Sequence, residues 1–170
     1  MTTALSMHAI CVPQALRTLD NVSKIIDKAI AHCTAKKIDP TVLVNYRLAA
    51  DMLPFSRQIQ IMCDQVKGMG ARLAGVEVPS FPDTETTLDD LKARIAKTRD
   101  FVAGFKPEQF AGSESRALTI KFGPNEAKFE DGVDYVTRSF FPNFYFHAAT
   151  AYDILRHCGV EIGKRDFLGW

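Results

Sequence analysis

The 170-residue chain is long enough for one domain with a substantial core, and a single domain spanning residues 1–170 is expected. Its 21 Lys and Arg stand against 20 Asp and Glu with no long run of either sign, so it lacks the basic field that gathers phosphate backbones, and no nucleic acid is expected as a partner. The segment Met1–Val12 has neither the basic lead nor the apolar stretch of a signal peptide, and no run approaches the roughly 20 apolar residues of a membrane span; a cytoplasmic protein without membrane contact is expected.

From Pro13 to Lys37, Leu16, Leu19, Val22, Ile26, Ile30 and Cys33 recur at three- and four-residue steps, which predicts a long amphipathic helix preceded by an arm carrying His8. Asp39-Pro40 opens a short helix to about Arg47, because proline at the first helical position gives up no needed donor. Pro54 then separates a second long helix, with the stripe Phe55, Ile59, Met62, Val66, Met69 and Leu73 and a stop at Gly75. From Gly75 to Glu85, with Pro79 and Pro82, the chain reads as an extended crossover on the surface. Thr87 and Asp90 form a capping arrangement for a third helix, which runs along Leu88, Leu91, Ile95, Thr98 and Val102 to about Gly104.

Leu118, Ile120 and Phe122 alternate with polar residues, as do Ala127 and Phe129 beyond the turn Gly123-Pro124-Asn125, predicting a β-hairpin that lays Leu118, Ile120, Phe122 and Phe129 on the helices. The last helix is expected from Gly132 to His157, kinked at Pro142 and closed by Gly159. Its core stripe would be Val133, Val136, Phe140, Asn143, Phe144, His147, Ala151, Ile154 and Leu155. Phe141, Tyr145 and Tyr152 fall on a second face that needs cover from the hairpin, the tail or a second copy, and a homodimer is expected. Lys164 and Arg165 read as a solvated turn whose Phe167 and Trp170 dock on the bundle. Cys11, Cys33, Cys63 and Cys158, widely spaced and without a Cys-x-x-Cys pair, read as reduced and mainly buried thiols.

Asn143 and His147 stand one turn apart in an intensely apolar helix, where polar groups need partners. They predict either a hydrogen-bonded core network or a small-molecule pocket between the second and last helices, lined by His147, Asn143, Gln58 and Asp51, in which an imidazole titrating near neutrality can act as acid or base. Asp51 serves equally as a helix N-cap. His157 lies about 15 Å along the helix from His147, too far to share an ion with it. His8 and His32 have no partner spacing and read as structural or solvated.

The strings Lys37-Ile38-Asp39-Pro40, Asp51-Met52-Leu53-Pro54, Asp83-Thr84-Glu85-Thr86-Thr87, Pro142-Asn143-Phe144-Tyr145-Phe146-His147 and Gly163-Lys164-Arg165-Asp166-Phe167-Leu168-Gly169, in this helix order, resemble an uncharacterised bacterial family within the DinB-like superfamily of putative metalloenzymes. The resemblance implies an all-α fold, a DinB-like four-helix bundle with a small β-hairpin between the third and last helices, commonly dimeric. It also implies a divalent metal such as zinc or nickel, held by one histidine of the second helix and a His-x-x-x-His pair of a later one, and used in thiol-dependent transfer or isomerisation. Here only His147 matches: the slot four residues earlier holds Asn143, and residues 51–73 contain no histidine. Two readings follow: a bundle with a small pocket at His147 and Asn143, a degenerate metal site; or a transferase or hydrolase working through His147 with or without a metal.

Overall fold

The computed structural model describes residues 5–122 and 124–170, without the side chain of Phe122; Met1–Ala4 and the expected turn residue Gly123 lie outside the described residues. Its elements are α1 (Met7–Lys36), α2 (Pro40–Asn45), α3 (Phe55–Ala74), α4 (Leu88–Ala103), β1 (Leu118–Phe122), β2 (Asn125–Phe129), α5 (Gly132–Tyr135), α6 (Phe141–His157) and α7 (Lys164–Leu168). Helix α1 begins before the expected Pro13. Ser6 accepts the Ala9 N–H at 3.2 Å as N-cap, and Pro13 removes only one backbone donor from a 30-residue helix. His8 is therefore helical, its Nε2 3.2 Å from the Phe105 carbonyl.

Cross-helix pairs define the bundle. Asp20 with Arg99 and Asp27 with Lys92 set α1 antiparallel to α4, and Arg72 with Tyr135 sets α3 antiparallel to the last rod. Asp64 with Arg94, and Gly70 against Val102, set α3 parallel to α4. The ring order is α1, α4, α3, α6, with up-down-down-up sense. Parallel neighbours need a return path. Residues 75–87 run back over about 24 Å of helix, well within the roughly 40 Å that so many extended residues span. The expected crossover is this strap. Gly75 starts it in the left-handed region at φ 72°, closing α3 through bonds to the Ala71 and Arg72 carbonyls.

The three expected stripes of α1, α3 and α4 pack inward, those of α3 and α4 without exception. Thr87 and Asp90 form the reciprocal capping box, at 3.0 and 2.9 Å. In the hairpin Ile120 pairs with Ala127 and Leu118 with Phe129; Ile120 and Phe129 are buried, and Asn125 belongs to β2 rather than to the turn.

A π turn over Val136–Phe140 joins α5 and α6 into one rod immediately ahead of Pro142, with the Phe141 N–H bonded to the Val136 carbonyl five residues back. The wider turn accommodates the proline and rotates the preceding residues. Val133, expected in the core, is exposed, and Tyr135 is buried in its place. The second aromatic face is covered from within the chain: Phe167 of α7 meets Tyr152 at 5.8 Å, and the Tyr145 hydroxyl donates to Gln14 of α1 at 2.9 Å. Trp170, expected to dock, is instead 84% exposed, after the left-handed Gly169 that closes α7.

Candidate functional site

Helix α3 starts at Phe55 behind the N-cap Pro54, so Gln58 sits in its first turn and faces His147 in the second turn of α6. The Gln58 Nε2 donates to the Leu53 carbonyl at 2.9 Å, which leaves Oε1 turned to His147 Nδ1 at 2.7 Å. A flipped amide would set oxygen against the Leu53 carbonyl, two acceptors with no proton between them. Nδ1 therefore carries the imidazole proton, and Nε2 presents a lone pair.

His147 is 9% exposed, and burial holds its pKa below the usual histidine value, so the ring is neutral near pH 7. Two side-chain atoms among the described residues are both sealed from water and unpaired, Arg94 Nε and Ser113 Oγ; Nε2 of His147 is not one of them and has no partner among the same residues, so it opens to solvent. The pair is thus a neutral base with one end fixed and the other free. Gln58 Oε1 remains a good acceptor when the ring takes a second proton, but the amide carries no charge to stabilise the imidazolium as a carboxylate would.

Two of the four expected lining residues meet, and two do not. Asn143, expected to face the core, is exposed. At about 100° per residue it falls between Ile154 and Thr150, both buried two to three turns further on, so its place in the first turn of α6, not its face, leaves it exposed. Asp51 is exposed in the turn before α3, and Pro54 holds the N-cap position there. The His157 ring lies 5.7 Å from that of Tyr46 in a tilted arrangement, and His32 lies at the end of α1 near Gly159.

The donor set does not fit the three-histidine metal site of the resemblance. Helix α3 sets the amide Gln58 against the matching histidine where the resemblance places an imidazole, and among the described residues no three His, Cys, Asp or Glu side chains gather as ligands. The thiols offer no nucleophile either: burial pushes Cys11 and Cys63 up to about 12 and raises Cys33 and Cys158 as well.

The opposite face of α3 carries a second polar centre that the sequence reading passed over. Arg94 of α4, its side chain 1% exposed, donates to Asp64 at 3.0 Å, Glu85 at 3.0 Å and the Pro82 carbonyl at 3.1 Å, and pairs with Asp83 at 3.0 Å. Burial works against its charge, but Glu85 and Asp64 outweigh that and raise its pKa. Gln60 donates to Glu85 at 2.8 Å, Arg57 pairs with Asp83, and Lys67 and Lys97 stand 4.5 and 4.1 Å from the Phe81 ring. These contacts clamp the strap onto the bundle. The readable signal was Arg94 itself, in phase with Leu91, Ile95 and Thr98 on a buried stripe.

Residues 7–168 match the family described as Domain of unknown function (DUF1993). The chain is also similar to a DinB family member protein from Shewanella denitrificans, known from a crystal structure, at 40% identity over 96% of this chain and 92% of that one, with a TM-score of 0.87. No curated protein matches.

Proposed function

Because the chain belongs to this family of unknown function within the DinB-like superfamily, we propose that its working centre is the position where DinB-like proteins hold a metal, used here without one. His147 binds a small hydrogen-bond-donating molecule at Nε2 and accepts its proton, while Gln58 holds the ring in the reactive tautomer. The observation that carries this reading is the Leu53–Gln58–His147 chain, which fixes both the amide and the imidazole. Phe146, 55% exposed with its ring 5.2 Å from that of His147, supplies apolar surface beside the lone pair. The same Phe146 is the proposed contact of the expected homodimer, which sedimentation of Phe146→Ser against the parent chain tests.

4-Nitrophenol probes the base directly, since its hydroxyl can donate to Nε2 and its absorbance reports proton transfer. A saturable spectral change with the parent chain and none with His147→Phe is expected; equal behaviour of the two removes the proposal. Zinc or nickel should leave the melting temperature unchanged. Stabilisation of the parent but not of His147→Phe by either ion would favour a degenerate metal site instead.

A further inference from the structure

Between α1, the second turn of α6 and the residues of α7 lies a cleft of about 190 Å³ whose walls include Gln14, Arg17, Thr18, Asn21, Tyr145 and Trp170. We propose that this cleft binds a small organic carboxylate with a planar apolar body, the carboxylate on Arg17 and the body against Tyr145 and Trp170.

Arg17 is exposed and forms no ion pair among the described residues. The nearby acids are already engaged, Asp20 by Arg99 at 2.7 Å and Asp166 by Lys28 at 2.6 Å, so the guanidinium fork is available to an anion from outside. One fork carries one charge and matches the two oxygens of a carboxylate. The neighbouring groups favour the same ligand. The Tyr145 hydroxyl donates to Gln14 Oε1 at 2.9 Å, which leaves the Gln14 amide hydrogens as donors at the cleft. Burial raises the Tyr145 pKa against the opposing effects of Thr18 and Arg17, so the phenol stays protonated.

The tail builds the remaining wall. Asn21, 4% exposed, donates through Nδ2 to the Phe167 carbonyl at 3.1 Å. Gly169 has φ 75°, and a Cβ there would stand 2.6 Å from the Asn21 amide, so only glycine lets the backbone lie this close. That contact sets Trp170 at the rim of the cleft, with most of its indole in water. No charged group in this cleft belongs to the His147 centre, and the two sites are independent.

Trp170 is the sole tryptophan of the chain, so its fluorescence reports on this cleft alone. Titration with benzoate should give a saturable change. The neutral isostere benzamide, and benzoate with Arg17→Gln, should each bind at least about 10-fold more weakly, as expected for loss of a charge-assisted pair. His147→Phe should leave the benzoate curve unmoved. Arg17 is exposed, so its variant should keep the parent melting temperature, and a binding loss cannot then be assigned to unfolding. A flat response to millimolar benzoate, an equal response to benzamide, unchanged affinity with Arg17→Gln, or loss of the response with His147→Phe would each overturn the proposal.

Discussion

Helix α3 carries a polar centre on each of two opposite faces, and the two are built on different rules. Toward α4 and the strap, Arg94 gathers three carboxylates and a carbonyl, with Lys67 bound to Asp64 at 2.8 Å and Arg57 to Asp83, so three cations match three formal negative charges. Toward α6, Gln58 and His147 are both neutral, and one imidazole nitrogen is unpaired at the protein surface. A matched charge cluster resists change and holds a segment in place. A neutral pair with a free lone pair costs little to bury and has one bond still to make. The contrast fits the first centre to structure and makes the second the one proposed above for chemistry.

The sharpest way to break this comparison is to remove the cation. Arg94→Met leaves Asp64, Asp83 and Glu85 with only the peripheral Lys67 and Arg57 as cations and should cost about 3 kcal/mol, lowering the melting temperature by about 10 °C and freeing the strap to proteolysis. Two of the three acids are about two-fifths exposed, which keeps the loss at the lower end for a broken buried pair. On the other face, Gln58→Leu strands the Nδ1 proton of His147 and the Leu53 carbonyl and should cost about 2 kcal/mol in urea unfolding. The double variant with His147→Phe should cost less than the two single changes added, since the stranded donor is gone.

The third test is pH. The unfolded chain binds a proton on residue 147 near pH 6.5, whereas the folded protein, with this pKa depressed by burial, does so only at lower pH. Between the two values the unfolded state holds more protons, so stability falls as pH drops below about 6.5 and recovers as it rises. In His147→Phe this slope should vanish. Asp166, held low by Lys28 and the Gly163 N–H, acts in a separate, more acidic window: its contribution is present above its unfolded value and lost as pH falls through the folded one. The smallest effects belong to the rim. Arg57→Ala, which removes a half-exposed pair with Asp83, and Asn143→Ala should each shift stability by no more than about 0.5 kcal/mol.

Much of this molecule was legible in its apolar periodicity. The stripes of α3 and α4, the Thr87 box and the hairpin each depend on neighbours within a few residues, and they stand where the spacing put them, save that Asn125 pairs with Phe122 instead of lying in the turn. Val133 and Asn143 were misplaced for different reasons: the π turn rotates Val133 off the stripe, whereas Asn143 keeps the angle of the buried Thr150 and Ile154 but sits in the first turn of α6, and periodicity reads angle, not depth along the axis. Gln58 opposite His147 followed from the helix pairing, but their hydrogen bond and tautomer depend on the Leu53 carbonyl, which no spacing rule reaches. The clamp on Arg94 was hidden because Asp64, Asp83 and Glu85 look like ordinary surface acids until the parallel arrangement of α3 and α4 brings them around one side chain. The Arg17 cleft joins residues about 150 positions apart in the chain, and the tail that closes it has no periodic pattern to read.

The ring order has a consequence for synthesis on the ribosome. The first two long helices to emerge, α1 and α3, stand diagonally across the bundle, and each finds its main neighbours among α4 and α6, which come later. A nascent chain that has reached the strap holds two amphipathic helices with nothing lasting to pack against, so stable collapse waits for α4 and completes only when the last rod arrives. This protein should leave the exit tunnel more than half made and still unfolded, in the interval when chaperones matter most.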